Sequence, residues 1–185
     1  MRKFLKKISK YNKIKGVEIM IKKLDKFIEE VVAIGMAALA IACIWQVVSR
    51  CIVGNPSTIT EEFMRYGLIW ITMLGSPYAY SKGRQLMITF LVKKGSERFQ
   101  RIIGILVGII TSVFSIGILI IGGTKVSNNA VGQVSSSMQI PMQFLYCSLI
   151  ISGILTLLYA IMGIKSDINK LQKLPSRKEL SSWQH

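Results

Sequence analysis

Four long blocks without a charged side chain constrain this sequence more than any other feature. The first runs from Val31 to Ser49, and its 19 residues reach ~28 Å as an α-helix. The hydrocarbon core of a bilayer is ~30 Å thick, so a helix of this length can cross it. The other blocks are residues 66–81, 102–124 and 142–164. Because a segment in lipid must satisfy its own backbone hydrogen bonds, the sequence predicts an all-α integral membrane protein with four transmembrane helices.

The blocks and the turn-forming residues between them divide the chain into segments. These are a basic arm over 1–28, a first span over 29–51, an outer loop over 52–60, a second span over 61–81, an interfacial segment over 82–101, a third span over 102–124, an outer connection over 125–140, a fourth span over 141–164 and a tail over 165–185. Thr60 is predicted to cap the second span and Pro77 to kink it. Apolar residues recur every three or four positions from Phe4 to Ile28, which predicts an amphipathic interfacial helix. A disordered basic tail is the alternative for residues 1–12.

Lysine and arginine are distributed unevenly between the ends of the blocks. The arm to Lys26, the segment 82–101 and the tail hold ten, six and five of them, whereas Arg50 and Lys125 stand alone in the two other connections. By the positive-inside rule, both termini and residues 82–101 are expected on the cytoplasmic side. The expected anchors at the phospholipid interface are Lys22, Lys23, Lys26, Arg84, Lys93 and Lys94. The net charge of +15 is therefore assigned to membrane orientation and not to nucleic acid, since no basic face belongs to a soluble fold.

A charged cluster stands at the start of the second predicted span. Glu61 and Glu62 lie one helical turn before Arg65, so that pairing within the helix is geometrically easy. Charges are costly at the centre of a bilayer, which places these three at the outer edge of the span or against another protein. Two interpretations stay open, namely a polar contact site and a helix end that neutralises its own charge.

The sequence offers little for catalysis or metal binding. Its one histidine is His185, and no phosphate-binding Gly-x-x-x-x-Gly-Lys-Ser/Thr loop occurs. Three cysteines do not make a disulfide framework. We therefore predict no enzyme activity, metal site or cofactor in this chain, which disfavours a membrane hydrolase or transferase. A self-sufficient four-span transporter working as a dimer is the alternative, but it needs a carboxylate near the bilayer midplane.

Small residues recur at four-residue spacing inside the spans, as is typical of helices that approach closely in lipid. The pairs are Ala33/Ala37, Ala38/Ala42, Gly104/Gly108 and Ser148/Ser152. Packing within this chain's own bundle is the expected role for most of them.

Several motifs occur in an order that resembles a known family. They are Val48-Ser49-Arg50-Cys51-Ile52-Val53-Gly54-Asn55-Pro56, Thr60-Glu61-Glu62-Phe63-Met64-Arg65-Tyr66, Leu74-Gly75-Ser76-Pro77-Tyr78-Ala79-Tyr80 and Gln139-Ile140-Pro141-Met142. On a four-span layout they resemble the small permease subunit of tripartite ATP-independent periplasmic (TRAP) transporters. The positions of Glu61, Glu62, Arg65 and Pro141 match the family pattern. Four positions depart from it, and these are Cys51, Ile59, Gln85 and Thr89.

The resemblance implies a subunit that does no chemistry and packs on a large membrane permease in the bacterial inner membrane. The large subunit would carry the substrate and Na⁺, and a periplasmic substrate-binding protein would deliver an organic acid such as a C4-dicarboxylate or sialic acid. The small subunit would brace the static scaffold of an elevator-type partner. On this reading the candidates for partner contact are Arg50, Glu61, Glu62, Arg65 and Pro141.

Overall fold

The fold consists of helices. The computed structural model describes the backbone of residues 2–54, 57–92 and 97–173, and the side chains of residues 20–52, 54, 57–83 and 98–172. The helices are α1 (Arg2–Val48), α2 (Thr58–Val92), α3 (Glu97–Phe114), α4 (Gly123–Asn129) and α5 (Met142–Lys173). Two π-helical stretches are present, one at the end of α1 (Ser49–Val53) and one between α3 and α4 (Ser115–Gly122). The predicted all-α class is confirmed.

Three helical segments in the described part of the chain are long and apolar enough to cross a membrane. They are Met20–Ile52, Arg98–Asn129 and Met142–Gln172. The second of these combines α3, the π-helical stretch and α4. Helix α2 has 35 residues, but polar and aromatic residues around Pro77 lower its hydropathy, and it is not among the three. The chain is therefore a multi-pass helical membrane protein.

The long helices continue past the predicted ends of the spans. Helix α1 runs without interruption from Arg2 in the predicted arm to Val48 in the first span, and its 47 residues reach ~70 Å. Helix α2 likewise continues beyond Ser81 to Val92, through most of the predicted interfacial segment. Charged residues in the sequence predict where the chain leaves the membrane. A helix can continue past that point into water.

The helices lie side by side in the order α1, α2, α5, α3. Helix α2 packs against α1 on one side and α5 on the other, and α5 packs against α3. In the described residues, the backbone of α1 comes close to no long helix except α2. The result is a row of packed helices, which we call the wall, and many of its large apolar side chains are exposed. We call the end with Gly54 and residues 130–141 the loop end, and the opposite end the basic end.

Small residues allow the close contacts within this wall. A Cβ atom placed on Gly35 would lie 2.8 Å from the side chain of Ile71, and one on Gly67 would lie 2.8 Å from Leu39. Helices α1 and α2 thus interlock at two glycines, one from each helix. Between α5 and the π-helical stretch, a Cβ atom on Gly153 would lie 2.8 Å from the Leu119 side chain.

Two of the four predicted small-residue pairs are buried. Gly104 and Gly108 of α3 are buried, as are Ser148 and Ser152 of α5, with exposures of 0% and 2%. The alanines of α1 behave differently, because Ala33, Ala37 and Ala38 are exposed and Ala42 is half-buried. Helix α1 instead uses Gly35 and neighbouring residues against α2.

Candidate functional site

Helix α2 begins with a side-chain cap at the loop end. The hydroxyl of Ser57 accepts hydrogen bonds from the backbone N–H of Thr60, at 3.3 Å, and from the Thr60 hydroxyl, at 2.9 Å. The prediction that Thr60 is the cap was wrong, because the helix starts at Thr58 and Ser57 precedes it. A hydroxyl on the residue before the first turn reaches the free N–H groups of that turn, and Ser57 holds that position.

Glu61 and Arg65 pair along the surface of α2. The Arg65 guanidinium donates to Glu61 across 3.2 Å, and the two side chains are 65% and 59% exposed. An exposed pair of this kind contributes only ~0.3–0.5 kcal/mol to the stability of a helix. The pair is therefore available to an external partner at little cost to the fold.

Glu62 points to a different neighbour and holds a distant loop. Its carboxylate accepts hydrogen bonds from the backbone N–H groups of Ser137, at 3.1 Å, and Met138, at 2.9 Å. It also accepts one from the hydroxyl of Ser135, a residue that is 1% exposed. Glu62 thus joins the start of α2 to the segment before α5, with three donors around one carboxylate.

The segment held by Glu62 forms a compact turn. Val134 and Pro141 make an isolated antiparallel bridge, with Ser135 donating to Ile140 and Met142 donating to Gln133, both at 3.0 Å. The turn needs left-handed backbone at two positions, Gly132 with φ 81° and Gln139 with φ 52°. Pro141 lies directly before the first residue of α5.

An apolar cavity of about 290 Å³ lies between α2, this turn and the start of α5. Its walls include Phe63, Tyr66 and Trp70 of α2 and Ile140, Pro141 and Phe144. The rings of Trp70 and Phe144 lie 4.9 Å apart, and the Tyr66 hydroxyl lies 3.9 Å from the Met142 sulfur. The lining is apolar, which suits hydrocarbon and not a charged substrate.

Helix α2 exposes a further row of residues that differs from the apolar exposed faces of α3 and α5. Glu61, Arg65, Leu68, Thr72, Ser76 and Ala79 follow one another at three- or four-residue spacing and are all exposed. We call this row the polar stripe. The Thr72 hydroxyl bonds to the Leu68 carbonyl at 2.7 Å. The exposed side chains of α3, by contrast, include Leu106, Ile109, Ile110 and Val113.

Polar contacts between helices are found at the basic end as well. Tyr159, which is 6% exposed, donates to Asp25 of α1, and Tyr78 donates to Glu29 at 3.0 Å. Lys82 lies over the Tyr78 ring, 5.4 Å from its centre. Three helices are therefore joined by tyrosine–carboxylate bonds.

Helices α3 and α5 share a buried ion pair at the same end. Arg101 and Asp167 approach to 3.3 Å, with side-chain exposures of 17% and 4%. Asp25, Glu29 and Asp167 were not predicted as contact residues from the sequence. The available signal was their charge, since acidic residues are rare in segments this basic.

The remaining predicted residues are dispersed over the surface. Arg50 lies in the π-helical end of α1 and is exposed, and Lys22, Lys23 and Lys26 are exposed. Lys26 pairs with Glu30 at 3.8 Å. The side chain of Arg84, the predicted anchors Lys93 and Lys94, and the family departures Gln85 and Thr89 lie outside the described side chains. Glu61, Glu62, Arg65 and Pro141 are brought together at the loop end, whereas Lys22, Lys23 and Lys26 lie towards the middle of α1, away from that end.

This arrangement can hold helices together and present a surface. Within the described residues, no group of three or more His, Cys, Asp or Glu side chains is placed to hold a metal ion. The three cysteines are free.

Comparison with known proteins supplies the family. The family described as "Tripartite ATP-independent periplasmic transporters, DctQ component" matches residues 39–169, which is most of the chain. The chain is also similar to the sialic acid TRAP transporter small permease protein SiaQ of Vibrio cholerae serotype O1, with 26% identity over 114 residues. That alignment covers 60% of this chain and 65% of the relative, so the chain spans less than two thirds of the relative's length. The matched region runs from the last turns of α1 through α2, α3 and α4 to near the end of α5. The chain belongs to the DctQ component family of tripartite ATP-independent periplasmic transporters.

Proposed function

We propose that this chain is the non-catalytic small membrane subunit of a Na⁺-driven TRAP transporter and braces the scaffold of the large permease subunit. The exposed apolar surface of the fold supports this proposal. Among the described residues, few large apolar side chains are buried and many are exposed, which suits packing against lipid and a larger membrane protein. Its apolar cavity has no groups that would bind an anion.

The polar stripe of α2 is the observation that carries the proposal. A helix face turned to lipid is expected to be apolar, because no water is present to pair with polar groups. The stripe instead consists largely of small or polar residues. Thr72, Ser76 and Ala79 lie on the same face of α2 as the Glu61–Arg65 pair. Small and polar residues of this kind let another membrane helix approach closely. We therefore assign the large subunit to this face.

The proposal includes four membrane crossings with both termini in the cytoplasm. Helix α2 is less apolar than the other three, but a partner on the polar stripe would remove that face from lipid. Crossing by α2 also puts Arg50 and Lys125 outside and the lysine-rich segments inside, in agreement with the positive-inside rule. The membrane is then the bacterial inner membrane.

The substrate and its ion belong to the proposed partners. The relative from Vibrio cholerae is named for sialic acid, which favours that member of the organic-acid class. A periplasmic binding protein would deliver the substrate, and the large subunit would bind it together with Na⁺. The chain described here would contribute no catalytic group and no cofactor.

Co-purification tests the docking face. We expect the full chain, co-expressed with its large subunit, to lose most of the complex when Arg65→Ala and Ser76→Trp are introduced. The reason is that a bulky ring at Ser76 blocks close approach and the alanine removes the charge at the head of the stripe. The matched control is Val113→Trp on α3, where the native side chain is 67% exposed and lies outside the stripe.

The readouts are complex yield and Na⁺-dependent sialic acid uptake by the reconstituted complex. Equal yields for the stripe variant and the Val113→Trp control would refute docking on α2. Full uptake by this chain alone would refute the subunit proposal and would favour the autonomous dimeric transporter.

A further inference from the structure

The apolar cavity at the loop end is open to its surroundings. Phe63 and Phe144 stand at its walls and remain 45% and 59% exposed. The cavity lies within the first turns of α2 and α5, next to the turn that Glu62 holds. In a chain that crosses the bilayer, this position corresponds to the outer leaflet.

The cavity and the polar stripe lie on different faces of α2. Phe63, Tyr66 and Trp70 follow a three- and four-residue spacing, as do Arg65, Leu68 and Thr72 of the stripe. At about 100° per residue, the two rows are roughly opposite each other around the helix. A large subunit docked on the stripe therefore leaves the cavity facing lipid, and to this extent the inference rests on the proposed function.

We propose that the cavity binds one acyl chain of an outer-leaflet phospholipid. Its volume of about 290 Å³ is roughly ten times that of a water molecule in the liquid. If the cavity were empty, the side chains that line it would lose van der Waals contacts on that side. Lipid acyl chains surround the opening and can supply those contacts. The lining of the cavity is apolar, as the binding of a hydrocarbon chain requires.

A bound chain would act as a structural part of the loop end. It would fill the gap beside the contact between α2 and the start of α5, while the Glu62 carboxylate ties α2 to the turn before α5. Phe144, which stacks against Trp70, would cover one side of the chain. The lipid would then fix the spacing of these helices, and with it the orientation of α2 beneath the large subunit.

Native mass spectrometry of the full chain with added dioleoylphosphatidylethanolamine tests the site. The variant Leu145→Phe enlarges a residue of the cavity wall, and the matched control Leu158→Phe makes the same change at a 49% exposed position of α5. We expect one tightly retained phospholipid in the unaltered chain and in the control. We expect about tenfold weaker retention in Leu145→Phe, since the ring takes the space of buried methylene groups.

A second measurement keeps the cavity unaltered. The chain has three tryptophans, so Trp45→Phe with Trp183→Phe leaves Trp70 as the sole fluorophore. Brominated acyl chains should quench Trp70 strongly, both in the isolated chain and in the complex with the large subunit. Equal lipid retention by Leu145→Phe and Leu158→Phe, or weak quenching of Trp70, would overturn the proposal.

If adding the large subunit abolishes the quenching, a side chain of that protein fills the cavity in the complex. This result would also overturn the lipid site. The two proposals are distinguishable, because Arg65→Ala with Ser76→Trp should abolish the complex while the isolated variant still retains its lipid.

Discussion

Two adjacent glutamates at the loop end have opposite roles. Glu61 faces outward and pairs with Arg65 on its own helix, whereas Glu62 faces the turn before α5 and accepts bonds from two backbone N–H groups. Neighbouring positions on a helix differ by about 100° in direction, so they meet different surroundings. One glutamate is thereby free for an external contact while the other holds the fold.

The variant Glu62→Gln should loosen the turn. The neutral amide accepts hydrogen bonds less strongly than the carboxylate and brings an NH₂ group among donors. We expect amide hydrogen exchange at Ser137 and Met138 to accelerate by about tenfold or more, from the loss of charge-assisted bonds. Exchange of the full chain in lipid nanodiscs, followed by mass spectrometry, measures this change.

The variant Glu61→Gln is its control, because the Glu61 carboxylate pairs with Arg65 on its own helix and its backbone bonds to Ser57. Exchange at the turn should stay unchanged in that variant. Equal acceleration in both variants would contradict the assignment of the turn to Glu62.

At the scale of the helices, glycine marks where the wall is tightest. A Cβ atom on Gly153 would meet the Leu119 and Ile120 side chains at 2.8 and 2.9 Å, whereas one on Gly117 meets nothing within 4 Å. Both glycines lie in apolar helical segments. Their difference comes from the neighbouring helix, since α5 packs its Gly153 against the π-helical stretch.

The variant Gly153→Ala should therefore destabilise the chain, by about 1–3 kcal/mol if it follows other overpacked sites. The Ser115 hydroxyl, which donates to the Gly153 carbonyl, would also move away from its acceptor. Thermal unfolding in detergent, followed by tryptophan fluorescence, measures the change. Gly117→Ala should be neutral or slightly stabilising, because alanine is the better helix former. The reverse order of stability would refute the packing argument.

At the scale of the whole molecule, the path of α2 decides the topology. Ile59→Cys and Gly83→Cys each introduce one cysteine into a chain in which Cys43, Cys51 and Cys147 are replaced by serine. The two positions lie near opposite ends of the part of α2 whose side chains are described. We expect a membrane-impermeant maleimide to label position 59 in intact spheroplasts, and position 83 only after permeabilisation. Both native residues are exposed, so burial does not limit labelling.

Gln133→Cys and Ser166→Cys provide references for the loop end and the basic end, since both native residues are exposed. Labelling of positions 59 and 83 from the same side would show that α2 does not cross, and would reduce the topology to three spans.

Much of this architecture can be read from local sequence. Uncharged blocks predict membrane helices because each block partitions into lipid on its own composition. The Glu61–Arg65 pair follows from four-residue spacing within one helix. The family is likewise readable from short motifs, since residues 48–66 lie close together in the chain, and the family match confirmed it.

The interactions between helices could not be read in this way. Ala33/Ala37 and Gly104/Gly108 have the same spacing, yet the first pair is exposed and the second is buried. The difference depends on the order of the helices in the wall, which places α3 against α5 and leaves much of α1 uncovered. Glu62 and Ser135 are 73 residues apart, and Tyr159 and Asp25 are 134 apart. The spacing of residues along one helix indicates which of them share a face. Which helix packs against that face depends on how all the helices pack together.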